Sequence, residues 1–292
     1  MNTQAIDVIT IMHALQALED KFLGKDRSWI AYGPEQTIVF ELYRRLKNDV
    51  RALQHLKSKA STDWNVLNNY LDENGFDKMF AGPLNGIGAV SILDMLVEWL
   101  KQGTLCNIYA QDYKEHEGFE IEENNRRIYK MQDQTTIAEL LTKSGDSLWL
   151  TMPDSLPTGS LDMIRIAFSA MRKGMLQSYS KFTAVQVPEI SIDLKPDISF
   201  LTGAETIDAG NQKWFISEAY QQFKLKMNRE GARAKVATGI AMRKGVSFDE
   251  PQPLVFNRPF MGWFTQNGSR LPIAIFYADY DVWRQAGDLR SM

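Results

Sequence analysis

"VFNRPFMGWFTQNGSRLPIAIFYADY", residues 255–280, contains two apolar runs of strand composition joined across Gln266-Asn267-Gly268-Ser269. Residues this rich in Phe, Trp, Ile and Tyr suit a pleated, buried surface. The pair therefore reads as a hydrophobic hairpin near the C-terminal end. It follows directly on "GVSFDEPQPL" (245–254), where Pro251 and Pro253 favour extended, exposed chain.

The remaining composition sets bounds on what surrounds that hairpin. With 44% hydrophobic and 24% charged residues over 292 positions, the chain can bury a real core. Its 33 basic and 36 acidic residues are scattered, so no basic tract offers a footprint for nucleic acid. A single cysteine, Cys106, excludes an internal disulfide framework and is compatible with a reducing compartment, so an intracellular (cytoplasmic) protein is expected. The opening "MNTQAIDVITIMHALQALEDKF" lacks a basic start and a small-residue cleavage site, and reads as a core helix rather than a signal peptide. No run approaches the roughly 18 apolar residues of a membrane span.

Along the chain, Ile6, Ile9, Met12, Leu15 and Leu18 keep helical spacing and predict a helix over 4–22, closed before Gly24. "RSWIAYGP" (27–34) reads as a short strand, and "EQTIVFELYRRLKNDVRALQHL" (35–56) as one or two helices. "DWNVLNNYLDE" (63–73) is helical, and "AVSILDMLVEWLKQG" (89–103) reads as the clearest helix, ending at Gly103. The charge-dense stretch 112–127 suits a solvated face or hairpin. "SLWLTMPD" (147–154) and "FTAVQVPEISID" (182–193) read as strands interrupted by a helix at "SLDMIRIAFSAMRKGM" (160–175). Helices about 1–127 followed by strands about 128–292 argue for an α+β fold of N-terminal helices on mainly antiparallel or mixed sheets.

Enzyme chemistry finds no foothold in these residues. The three histidines, His13, His55 and His116, sit in unrelated contexts, and one cysteine cannot found a zinc site, so no metal or other cofactor is expected. "NGIGAVS" (85–91) lacks the third glycine of a phosphate loop, and neither a Gly-x-Ser-x-Gly elbow nor a Walker sequence is present. The expectation is a protein that is not an enzyme.

Phe256-Asn257-Arg258-Pro259-Phe260, with Met261 and Phe264, resembles the C-terminal signature of serpins, the loop-inserting protease inhibitors. Gly262 departs from that pattern. Upstream, "QQFKLKMNREGARAKVATGIAM" (221–242) resembles the strand and hinge that lead into a serpin reactive-centre loop, through Asn228, Glu230, Gly231, Ala237, Thr238 and Gly239. "GDSLWLTMPD" and "VQVPEISID" are weaker echoes. The resemblance implies one reduced serpin-like domain over 1–292 with an exposed loop at about 231–255.

As a strand, the hinge would place Ala232, Ala234, Val236 and Thr238 on one face and Arg233, Lys235 and Ala237 on the other. One face is small and mostly apolar, as insertion into a sheet requires. The resemblance implies bait residues at Arg243 or Lys244, with a scissile bond at Lys244-Gly245 or Gly245-Val246 and Met242 as the fallback. Arg243 and Lys244 suit a trypsin-like serine protease with an acidic pocket; a cysteine protease is the other target class.

Other departures point away from inhibition. The chain is shorter than typical serpins. The family's Asn-Ala-Ile-Tyr-Phe strand, one wall of the insertion gap, is not visible; "CNIYAQD" (106–112) is at best a remnant. Where the family has Ser-Pro-x-Ser and a histidine before the hinge, this sequence offers Gly33-Pro34-Glu35-Gln36 and Gln221. Two readings stay open: a protease inhibitor, or a non-inhibitory serpin-fold scaffold acting through a protein partner.

Overall fold

The computed structural model describes residues 3–84, 86–131, 135–172, 176–177, 182–232 and 252–289. In chain order, strand β1 (Gln4–Ile6) precedes helix α1 (Val8–Leu18), which runs into a π turn (Glu19–Leu23). Helix α2 (Pro34–Arg51), β2 (Leu56–Ser61), α3 (Trp64–Glu73) and β3 (Gly88–Leu93) follow. Next come β4 (Val97–Glu98), β5 (Thr104–Tyr109), β6 (Glu115–Glu122), β7 (Arg126–Lys130), β8 (Thr136–Leu141) and β9 (Ser147–Thr151). Helix α4 (Ser160–Arg172) leads to β10 (Leu176–Gln177), β11 (Ala184–Pro188), β12 (Ile190–Leu194), β13 (Glu205–Ile207) and β14 (Lys213–Phe215). The chain closes with β15 (Phe223–Met227), β16 (Gly231–Ala232), β17 (Leu254–Val255), β18 (Phe260–Thr265) and β19 (Ile273–Ala278).

Two compact units result. One comprises Met1–Ile6, Leu96–Asp193 and Lys224–Met292; the other, Asp7–Met95 and Leu194–Phe223. The first holds a seven-stranded sheet in the order β1-β19-β18-β9-β8-β7-β10 and a four-stranded sheet in the order β17-β11-β6-β5. In the second, α1 packs on the β2-β3 pair and on α2. Mixed helices and mainly antiparallel sheets make this an α+β fold, as the sequence implied.

The opening hairpin is β18-β19, with the short β1 outside it at one edge of the larger sheet and β9 on its inner side. Phe260, Met261, Trp263, Ile275, Phe276 and Tyr277 are all buried. Gly268 takes φ +76° in the turn, closed by the Ser269 N–H donating to the Gln266 carbonyl at 2.9 Å. A bulge lets Ala274, at φ +48°, slip between the Gly262↔Phe276 and Phe264↔Ile273 pairs. Gly262, the departure from the serpin pattern, is explained by its cross-strand partner. A Cβ there would collide with the Phe276 ring and come within 2.8 Å of Leu150 Cδ2. Farther along this sheet, the buried Glu139 carboxylate accepts from Ser147, Tyr129 and Arg127, which compensates a charge removed from water.

Several elements differ from the sequence expectation. The helix expected at 89–103 is instead strand β3 with β4 after it. Gly88, Val90 and Ile92 are buried in strict alternation with Ala89, Ser91 and Leu93, a two-residue period that the dense apolar run concealed. Strands β1 to β6 all fall within the stretch read as helix-rich. The first helix starts at Val8, not residue 4, because the Asp7 side chain accepts the Ile9 N–H and caps it there. "RSWIAYGP" contributes only an isolated bridge, Ile30 to Glu205.

Gly262→Ala should lower stability by about 1–3 kcal/mol through overpacking. Adding Phe276→Leu should recover part of that loss in urea unfolding, whereas strictly additive losses would contradict the packing explanation.

Candidate functional site

The start of the expected hinge, residues 230–232 of 230–239, is anchored by backbone. Asn228 and Gly231 exchange hydrogen bonds across a tight turn, at 2.9 and 3.3 Å, and the Asn228 side chain accepts the Glu230 N–H. Beyond the turn, Gly231 and Ala232 pair antiparallel with Glu98 and Val97. Trp99 locks the other side: its N–H donates to the Glu230 carbonyl, its indole Nε1 donates to the Asn228 carbonyl at 2.8 Å, and its ring stacks on Phe119. At 1% exposure the ring is fully inside, so its one polar atom needs that partner. The Gly103 N–H adds a bond to the Arg229 carbonyl. Gly231 is required by proximity, since a Cβ would run into the Val97 carbonyl oxygen and reach 2.9 Å from Glu98 Cα.

A second anchor lies after residue 251. β17 pairs in parallel with β11, Val185 against Leu254 and Gln186 against Val255, and the Phe256 N–H continues the ladder to the Gln186 carbonyl. Here the signature residues take separate structural roles. Phe256 and Phe260 are buried edge to face, with ring centres 5.4 Å apart. The Asn257 carbonyl accepts the Gln111 N–H. The Arg258 guanidinium donates to the Pro153 and Met152 carbonyls just past β9, and Pro259, with no N–H to satisfy, leads into β18.

Gln221, two residues before β15, supplies a third cluster. Its Oε1 accepts the Asp7 N–H at 3.0 Å, and its Nε2 donates to the Asp7 carbonyl and to Thr10 Oγ1. Gly33-Pro34-Glu35-Gln36, the other departure from the family pattern, sits elsewhere: Pro34 opens α2, and Gln36 Nε2 donates to the Phe200 and Thr202 carbonyls. An amide can both donate and accept, so Gln221 satisfies both backbone groups of Asp7 at the start of α1. Close by in the chain, His13 Nδ1 and Ser91 Oγ share a 2.9 Å hydrogen bond between α1 and β3.

Of the residues assigned to the site from sequence, Glu230, Gly231 and Ala232 come together with β4. Ala234, Val236, Thr238 and Gly239, and the bait candidates Met242, Arg243, Lys244 and Gly245, lie outside the described residues. Trp99 and the neighbouring β4 were missed because 89–103 read as a helix. Among the described residues no group of three metal-ligating side chains occurs, and no helix is long and apolar enough to cross a membrane. Burial pushes the Cys106 thiol up to about 12, well away from nucleophilic reactivity.

Gly231→Ala should cost about 1–3 kcal/mol and speed hydrogen exchange at Glu98 and Trp99, read by mass spectrometry. Burial holds the His13 imidazole below its ordinary 6.5, against an opposing pull from Asp20. The folded chain therefore prefers neutral His13. Its contribution should be full above pH 6.5 and lost as pH falls from there through the lower folded value. His13→Gln should flatten urea stability between pH 7 and 5 relative to the parent; an unchanged slope would contradict the assignment.

Comparison by sequence with protein-family models finds no match, and comparison with curated proteins finds none either. Comparison of structures does. Serpin48 of the insect Tenebrio molitor aligns over 93% of this chain and 96% of its own, with TM-score 0.57 and 12% identity. Thyroxine-binding globulin in complex with thyroxine aligns over 95% and 92%, with TM-score 0.60 and 12% identity. A serpin from Schistosoma mansoni aligns over 95% of each chain, with TM-score 0.59 and 11% identity. Coverage of nearly the whole chain by all three shows that this protein has the serpin fold.

Proposed function

We propose that the chain is a serpin-type inhibitor of a trypsin-like serine protease, with residues 233–251 as its bait loop and Arg243 or Lys244 presented to the protease. The observation that carries this reading is the double anchor: backbone pairing fixes Ala232 on β4 at one end and Leu254 on β11 at the other. A segment held at both ends by sheets costs less entropy to present than a free tail, which favours tight substrate-like binding. The alternating small residues Ala232, Ala234, Val236 and Thr238 support later entry into a sheet.

A non-inhibitory serpin-fold scaffold is the second reading, with a protein partner in place of a protease. Arg233 and Lys235, long cations in the segment that would have to become a strand, favour it. So does the fold likeness to thyroxine-binding globulin, which is known in complex with a small ligand. Neither reading gives the chain a catalytic role.

Incubation with a panel of trypsin-like and papain-like proteases separates the two. The inhibitor reading predicts a covalent complex that survives denaturing electrophoresis with at least one trypsin-like protease, and its loss in the Arg243→Ala, Lys244→Ala double variant. Simple nicking by every protease, with no gain in thermal stability, would leave the scaffold reading.

A further inference from the structure

Residues 76–84 form a strap in the unit made of Asp7–Met95 and Leu194–Phe223. Phe76, Met79, Phe80 and Leu84 pack on the buried trio Leu67, Leu71 and Val90 from α3 and β3. Asn68, 2% exposed, buttons the strap down: its Nδ2 donates to the Phe80 carbonyl at 2.8 Å, and its Oδ1 accepts the Met79 and Phe80 N–H groups at 3.1 Å. One buried side chain thus satisfies three backbone groups of a segment that has no ladder of its own.

The strap also touches the chain beside one of its entries to this unit and one of its exits. The Asp77 N–H donates to Gln222 Oε1 at 3.0 Å, Asp77 Oδ2 pairs with Lys195 Nζ at 2.7 Å, and the Phe80 ring meets Tyr220 edge to face. On its other side, Gln221 is tied to Asp7 and Thr10. Tyr220 and Gln222 are therefore attached to the strap and Gln221 to the start of α1, immediately before Phe223, the last residue of the unit. Asp7 is its first residue, and Lys195 lies one residue past the re-entry at Leu194.

We propose that the strap and residues 220–222 form a clasp, a conformational device that opens and closes as one piece and controls the release of the chain leading into β15. The Asp77–Lys195 ion pair is exposed, so the amide bonds and the Phe80–Tyr220 contact carry most of the coupling. Opening the clasp frees residues 218–223 without disturbing α2. The link to bait-loop rearrangement rests on the inhibitor reading above; the clasp itself does not.

Native-state hydrogen exchange on the full chain tests it. Gln222→Ala removes one half-buried amide outside the buried core. It should speed exchange at least about fivefold both at 218–223 and at strap amides 77–80, since the Asp77 N–H bond at least is lost, while α2 keeps its parent rates. Asn68→Ala should accelerate 220–222 although Asn68 bonds none of them. Acceleration confined to one of the two segments, no change, or an equal rise throughout the molecule in Gln222→Ala would overturn the clasp. In a second arm the chain is nicked within 233–251 by trypsin. Gln222→Ala should shorten the time over which the nicked protein gains thermal stability. If the nicked parent never gains stability the inhibitor reading fails, and the exchange result still decides the clasp.

Discussion

The Val97 carbonyl occupies the space where a side chain on residue 231 would begin. That approach lets β16 pair with β4 and brings the Asn228 and Glu230 carbonyls within reach of Trp99. A larger residue at 231 would lift the hinge off β4 and leave the buried indole N–H without an acceptor, a cost comparable to several exposed contacts. Ala232 is thereby fixed by backbone geometry on β4, and Leu254 and Val255 are fixed by the parallel β17-β11 pair.

Elsewhere the fold solves familiar problems with different residues. Where the serpin signature continues with large apolar side chains, Gly262 yields its volume to Phe276 across the strand, so the hairpin stays full although the local sequence changes. Gln221 reaches the first turn of α1, bonding the backbone of Asp7 and the hydroxyl of Thr10, and a primary amide suits that double task. Asn68 does the same for the strap. In each place a short polar side chain satisfies backbone groups that no strand or helix would otherwise pair.

The hairpin was legible from its own apolar composition, while the signature around Arg258 and the glycine of the hinge were read from the resemblance to serpins. Strand β3 and Trp99 were not legible in the same way. Over 89–103 the apolar residues satisfy a helical period nearly as well as a strand period, and only pairing with β2 decides between them. The partner of Gln221 was hidden for a related reason. Asp7 lies 214 positions away, and no local pattern reports a contact of that range. The helix boundary at Val8 could have been read from Asp7 as a capping residue, since Asp before an apolar periodic run is a start signal.

Limited digestion of the native chain with trypsin, with the first cut mapped by mass spectrometry, tests the double-anchored bait loop most directly. The account predicts that the first cleavage falls after Arg243 or Lys244, while the anchored stretches on either side remain intact. A first cut outside 233–251, at Lys25, Arg27 or Lys78 for example, would contradict it.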